Sequence, residues 1–161
     1  MNKFYLPIII TSLLLTSCSP KNDITVNVIK DENIIYDENK QDYKDYTVSL
    51  TLDNLSKKIN DKDDFVLIFY GLNCLACKSI KPYIINYITT YQYVFYSLEY
   101  DYSLDDKYYE EVLNSMYEFP SIAFPRVYFT SKGECFFVKN GFNNEEHSNR
   151  NIKKLFDYYI N

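Results

Sequence analysis

Phe65 to Tyr70 (FVLIFY) is an unbroken apolar run with no alternation, and Gly71-Leu72-Asn73 then interrupts it. Such a run fits a strand covered on both faces, which requires a sheet with helices packed on each side. Cys74-Leu75-Ala76-Cys77 follows, and an apolar helical pattern begins there. Strand, short turn and helix are thus predicted in sequence, with two thiols at the mouth of the helix.

That spacing carries chemistry. Residues i and i+3 lie on one side of a first helical turn, so Cys74 and Cys77 are placed to form a disulfide and reopen it. Cys74 falls near the helix N-terminus, where unpaired N–H groups and the dipole favour an anion, here the nucleophilic thiolate. Cys77 sits deeper and is the expected resolving thiol. A C-x-x-C alone is also half of a zinc site or a coincidence; the strand before it and the helix after it separate these readings.

The chain has 161 residues, 47% of them hydrophobic, which suits one domain with one core. Its 18 Tyr and 11 Phe point to an aromatic interior. A net charge of −5, with Arg only at positions 126 and 150, argues against a nucleic-acid partner. The opening residues read as an export signal: Lys3, then an apolar core from Phe4 to Leu15, then small residues. Those twelve core residues are short for a bilayer span, which needs about 20. Residues 19–45 are rich in Asn, Asp, Lys and Glu, with short apolar islands at 24–29 and 34–36. They read as a tether, disordered or adding an extended edge segment.

Further elements follow in order. A strand is expected over Tyr46–Leu50, then a helix capped by Thr51 with a Leu52, Leu55, Ile59 stripe. The helix after Cys77 carries Ile80, Ile84, Tyr87, Ile88 and Tyr91 on one face, with Pro82 inside it. A strand over Tyr93–Tyr100 precedes a helix opened by Ser103 and Asp106, with Tyr108, Val112 and Met116 aligned. Strands at Arg126–Thr130 and Glu134–Lys139 form a hairpin through Ser131-Lys132-Gly133, and Gly141 ends it. Asn144 is expected to cap a last helix buried through Ile152, Leu155, Phe156 and Tyr159.

The order β-α-β-α-β-α-β-β-α, with C-x-x-C opening the second helix, resembles the thioredoxin-like family over residues 46–161. Lys78 after the second Cys and Pro82 beyond it are similar to that family's active-site helix. Phe124-Pro125 before an apolar strand resembles its cis-proline, and Lys132-Gly133-Glu134 with Gly141 resembles its final hairpin and strand-ending glycine. The resemblance implies an α/β fold with a central mixed sheet flanked by helices. It also implies a cis Phe124–Pro125 bond whose neighbours meet an extended substrate chain, and no cofactor and no metal. Leu15-Thr16-Ser17-Cys18 resembles the lipobox of bacterial lipoprotein signal peptides. That implies cleavage after residue 17, a diacylglycerol on Cys18, a tether over 18–45, and an extracytoplasmic domain held to a bacterial membrane.

The expected function is thiol–disulfide exchange with protein substrates, Cys74 as nucleophile and Cys77 as resolving thiol, with a membrane thiol relay as electron partner. Two departures support an alternative, a catalytically weak binding or accessory module. Asn73 stands where thioredoxin has a Trp, and Ile68 stands where it has a buried Asp that helps move the second thiol's proton. The apolar pair Leu75-Ala76 replaces Gly-Pro. A Cys₃His zinc site from Cys74, Cys77, Cys135 and His147 is possible on composition, but the hairpin carries Cys135 roughly 20 Å from the pair at about 3.3 Å per residue. Cys135 then reads as an apolar filler, His147 as a solvated residue opening the last helix, and Asp105-Asp106 as a solvated helix start.

Overall fold

The computed structural model describes residues 24–104, 106–116 and 124–161. The signal, the lipobox with Cys18, and Asp105 lie outside the described residues. The elements are β1 (Val48–Ser49), α1 (Leu52–Asn60), β2 (Phe65–Gly71), α2 (Leu75–Tyr91), β3 (Tyr96–Tyr100), α3 (Asp106–Met116), β4 (Arg126–Ser131), β5 (Glu134–Asn140) and α4 (Asn149–Tyr159). Their order is the one expected of a thioredoxin-like α/β fold.

The sheet runs β1-β3-β2-β4-β5. β1, β3 and β2 are parallel, while β4 is antiparallel to β2 and β5 to β4. β2 is central, and all seven of its residues are buried. Its alternation splits the core in two. Val66, Ile68 and Tyr70 pack with the buried residues of α2 and α4, including Ile84, Ile88, Ile152 and Phe156. Phe65, Leu67 and Phe69 pack with Leu55 of α1 and with Tyr109 and Leu113 of α3. An unbroken apolar strand is what two covered faces require.

Four sequence expectations are corrected. The first strand is two residues long, because Tyr43–Asp45 forms a 3-10 turn and Tyr46 turns its hydroxyl to the Asp37 and Lys40 carbonyls at 2.7 and 3.0 Å. The third strand starts at Tyr96, because the backbone at Tyr93 and Val94 pairs with Lys30 and Ile29 instead. The buried stripe of α3 is Tyr109 and Leu113 while Tyr108 is exposed, since Tyr109 is the ring that meets Phe69 and Tyr100. Asn143 caps a separate 3-10 turn over Asn144–Glu146, and Ser148 caps α4.

Of the two readings of residues 19–45, the described part fits the extended edge segment rather than the disordered one. From Ile24 onward the chain lies on the domain. Val26 is fully buried, exchanges backbone hydrogen bonds with Tyr159 and Asn161, and pairs with Ile160. Tyr43 is 1% exposed within the α2–α4 core. Apolar side chains spaced among polar ones give this strap enough buried area to stay attached.

Candidate active site

β2 ends at Gly71, and the chain turns once before α2. The Cys74 amide donates to the Gly71 carbonyl at 3.2 Å. Cys74 is the N-cap of α2, with extended backbone, and its Sγ accepts the Cys77 N–H at 3.0 Å. An unpaired amide of the first turn thus points at the sulfur, which is where a thiolate gains most. Cys74 and Cys77 form a disulfide, with Cα atoms 5.2 Å apart. Cys74 is half-buried, while Cys77 is 3% exposed. Leu72 and Leu75 beside the pair are 49% and 79% exposed, so the mouth of the helix has an apolar rim.

The Phe124–Pro125 peptide bond is cis, the isomer the resemblance implied. The Phe124 ring packs on Phe69 and Tyr100, with centroids 4.9 and 5.0 Å away. Gly71 joins this residue to the thiol pair. A Cβ on Gly71 would stand 2.7 Å from the Tyr102 hydroxyl and 3.5 Å from the Phe124 ring, so these side chains lie against the turn that holds Cys74.

The other candidates lie apart. Cys135 is on the opposite face of the sheet, in the α1–α3 core, and its Sγ donates to the Phe137 carbonyl at 3.3 Å. Burial pushes its thiol up to about 12. His147 precedes α4 instead of opening it. It is half-buried beside Tyr83, with ring centroids 6.3 Å apart, so it is not the solvated residue expected. Asp106 is exposed in the first turn of α3, as expected, and its carboxylate accepts the Tyr100 hydroxyl. Among the described residues no cluster of three or more His, Cys, Asp or Glu is placed to hold a metal.

Sequence reasoning missed the residues that surround Cys77 from the strap. Asp42 and Tyr43, together with Tyr70 and Lys81, line a small cavity that reaches it. The available signal was Asp42 and Asp45, three apart, which form a capping box on the 3-10 turn. Among the described residues no helix is long and apolar enough to cross a membrane.

A scan of protein-family models matched none, and a search of curated proteins found no match. Among solved structures, the chain is similar to mitochondrial thioredoxin 3 of Saccharomyces cerevisiae, at 19% identity and TM-score 0.47 over 69% of this chain and 93% of that one. It is similar to Fasciola hepatica thioredoxin, at 18% and 0.48 over 70% and 98%. Thioredoxin O2 of Arabidopsis thaliana gives 16% and 0.49 over 73% and 97%. At these values the likeness adds nothing about activity. The element order and a cysteine pair at disulfide distance fit a redox role.

Proposed function

We propose that the protein is a membrane-tethered, extracytoplasmic thiol–disulfide oxidoreductase. Cys74 as thiolate attacks a protein disulfide, giving a mixed disulfide and one free substrate thiol. Cys77 attacks Cys74, closing the Cys74–Cys77 bond and releasing the second substrate thiol. The reverse sequence oxidises a dithiol substrate. The observation that carries the reading is the pairing of a half-buried Cys74, whose sulfur accepts an α2 amide, with a 3% exposed Cys77. Phe124, Pro125 and the apolar rim of Leu72 and Leu75 receive the substrate chain. A membrane thiol relay is the expected electron partner.

The test is reduction of insulin by dithiothreitol. Turnover that persists in Cys135→Ala and falls to background in Cys74→Ser supports the enzyme. Ile68, fully buried in the same core as Cys77, favours the accessory module as the second reading; no rate above background would establish it.

Lipidation of Cys18 completes the proposal, supported by Leu15-Thr16-Ser17-Cys18. With the strap attached from Ile24, six peptide steps separate the anchor from the domain, a reach of roughly 20 Å. Incorporation of labelled palmitate that is lost in Cys18→Ala checks the anchor; a cleaved, unlabelled protein would refute it.

A further inference from the structure

The resolving step needs Cys77 as a thiolate, yet Cys77 is 3% exposed and shares its core with Ile68, Ile80 and Ile84. A buried thiol without a proton acceptor resists ionisation. Among the described residues, a cavity of about 20 Å³ lined in part by Asp42, Tyr43, Tyr70, Cys77 and Lys81 reaches it, room for a single water.

The lining is mixed, with Gly71 and Leu72 beside the polar groups, and one of those polar groups is unsatisfied. Tyr43 is 1% exposed, and no described residue hydrogen-bonds its hydroxyl. A buried hydroxyl on a residue that lines the cavity calls for a partner. Asp42 Oδ1 accepts the Tyr43 N–H at 2.7 Å and faces Lys81 Nζ at 3.5 Å. The Tyr70 hydroxyl is engaged with the Glu99 carboxylate at 3.1 Å. Of the groups that line the cavity, Asp42 is thus the carboxylate. Lys78 and Lys81 add positive charge, and Glu99 and Asp45 bear on Tyr70 from outside. Burial, first among several causes, raises both tyrosine hydroxyls above their ordinary range, so neither serves as a base near neutrality.

We infer that Asp42, acting through one water held between Cys77 and the Tyr43 hydroxyl, takes the Cys77 proton in the resolving step. This rests on the redox reading above. The Cys77 proton passes to the water as the water gives a proton to the Asp42 carboxylate. The Cys77 thiolate attacks Cys74 Sγ, and the Cys74–substrate bond breaks with its electron pair on the substrate sulfur. That sulfur takes up a proton, and Asp42 returns its own to solvent. The substrate disulfide is reduced to two thiols, and the Cys74–Cys77 pair is oxidised. The strap is then part of the active site, because it supplies both Asp42 and Tyr43.

The test uses full-length reduced protein and Ellman's disulfide in stopped flow. The first thionitrobenzoate release reports attack by Cys74, and the second reports resolution by Cys77. Asp42→Asn keeps the capping role, since Asn caps as well as Asp. It is expected to leave the first phase unchanged and to slow the second roughly 100-fold between about pH 6 and 7. The gap closes toward high pH, where hydroxide replaces the lost base. Tyr43→Phe, which keeps the ring, slows the second phase with the same pH dependence. A second phase within about two-fold of wild type at every pH would overturn the inference. Equal slowing at all pH values would overturn it too, by marking a structural role. A wild type with no second phase would overturn the redox reading with it.

Discussion

The Gly141 amide donates to the Pro125 carbonyl at 2.9 Å, tying the end of β5 to the residue that precedes β4. Gly141 makes this bond with φ at +60°, and a Cβ there would meet nothing within 4 Å. Substitution by Ala is therefore a backbone test without a steric one. Gly141→Ala is expected to lower unfolding free energy by about 1–2 kcal/mol in guanidinium titration, and Gly141→Asn by less, because Asn tolerates the left-handed region. Equal stability of all three proteins would show that the left-handed turn is not required.

The three thiols of the described domain differ in access, and alkylation should separate them. In reduced protein, iodoacetamide near neutral pH is expected to modify Cys74 first. Cys77 is 3% exposed, and Cys135 is 9% exposed with its thiol pushed up to about 12 by burial. Access and the α2 amide aimed at its sulfur both favour Cys74. Peptide mapping after short exposure is the measurement. Early label on Cys135 would contradict its placement in the α1–α3 core.

The central motif was legible because β2 and the start of α2 are specified locally. A six-residue apolar run, a Gly turn and two thiols one turn apart need no distant partner to be read. The stripe of α3 was not, since Tyr108 and Tyr109 are adjacent and equally apolar. Only the sheet face, through Phe69 and Tyr100, selects Tyr109. The strap was hidden for a related reason. Val26 lies in an apolar island too short to read as an element, Tyr43 stands alone among polar residues, and Val26 pairs with Ile160 far along the chain. Irregular segments bury residues that no periodicity marks.

The strap therefore makes a stability prediction. A truncated protein beginning at Tyr46, the domain start read from sequence, loses Val26 and Tyr43, which are 0% and 1% exposed. Burial of such side chains contributes about 1.5–3 kcal/mol each. The truncated form is expected to melt many degrees below the full chain. Val26→Asp alone is expected to cost at least about 3 kcal/mol by leaving a carboxylate unpaired in the core. A flexible tether would give neither effect, so an unchanged melting curve would detach the strap from the fold.

Asp64 fastens the same strap and gives it a pH dependence. One carboxylate oxygen accepts the Lys132 N–H at 2.8 Å and the Ser131 hydroxyl at 3.1 Å. The other accepts the Asn27 side-chain amide at 2.9 Å and backbone amide at 3.3 Å. Partial burial pushes this carboxyl upward, but the hydrogen bonds to its charged form outweigh that and hold it below the ordinary range. A folded value below the unfolded one means stability that is fully present above the unfolded carboxylate pKa of about 3.9 and is lost as pH falls through the lower folded value. Asp64→Asn is thus expected to lower stability at neutral pH by about 1 kcal/mol, a figure already reduced for solvent screening. Below about pH 4 the difference should shrink, because the wild-type carboxyl is itself becoming neutral. Denaturant titrations of both proteins at neutral and acid pH measure this. A difference that stays constant through the acid limb would remove Asp64 from the account.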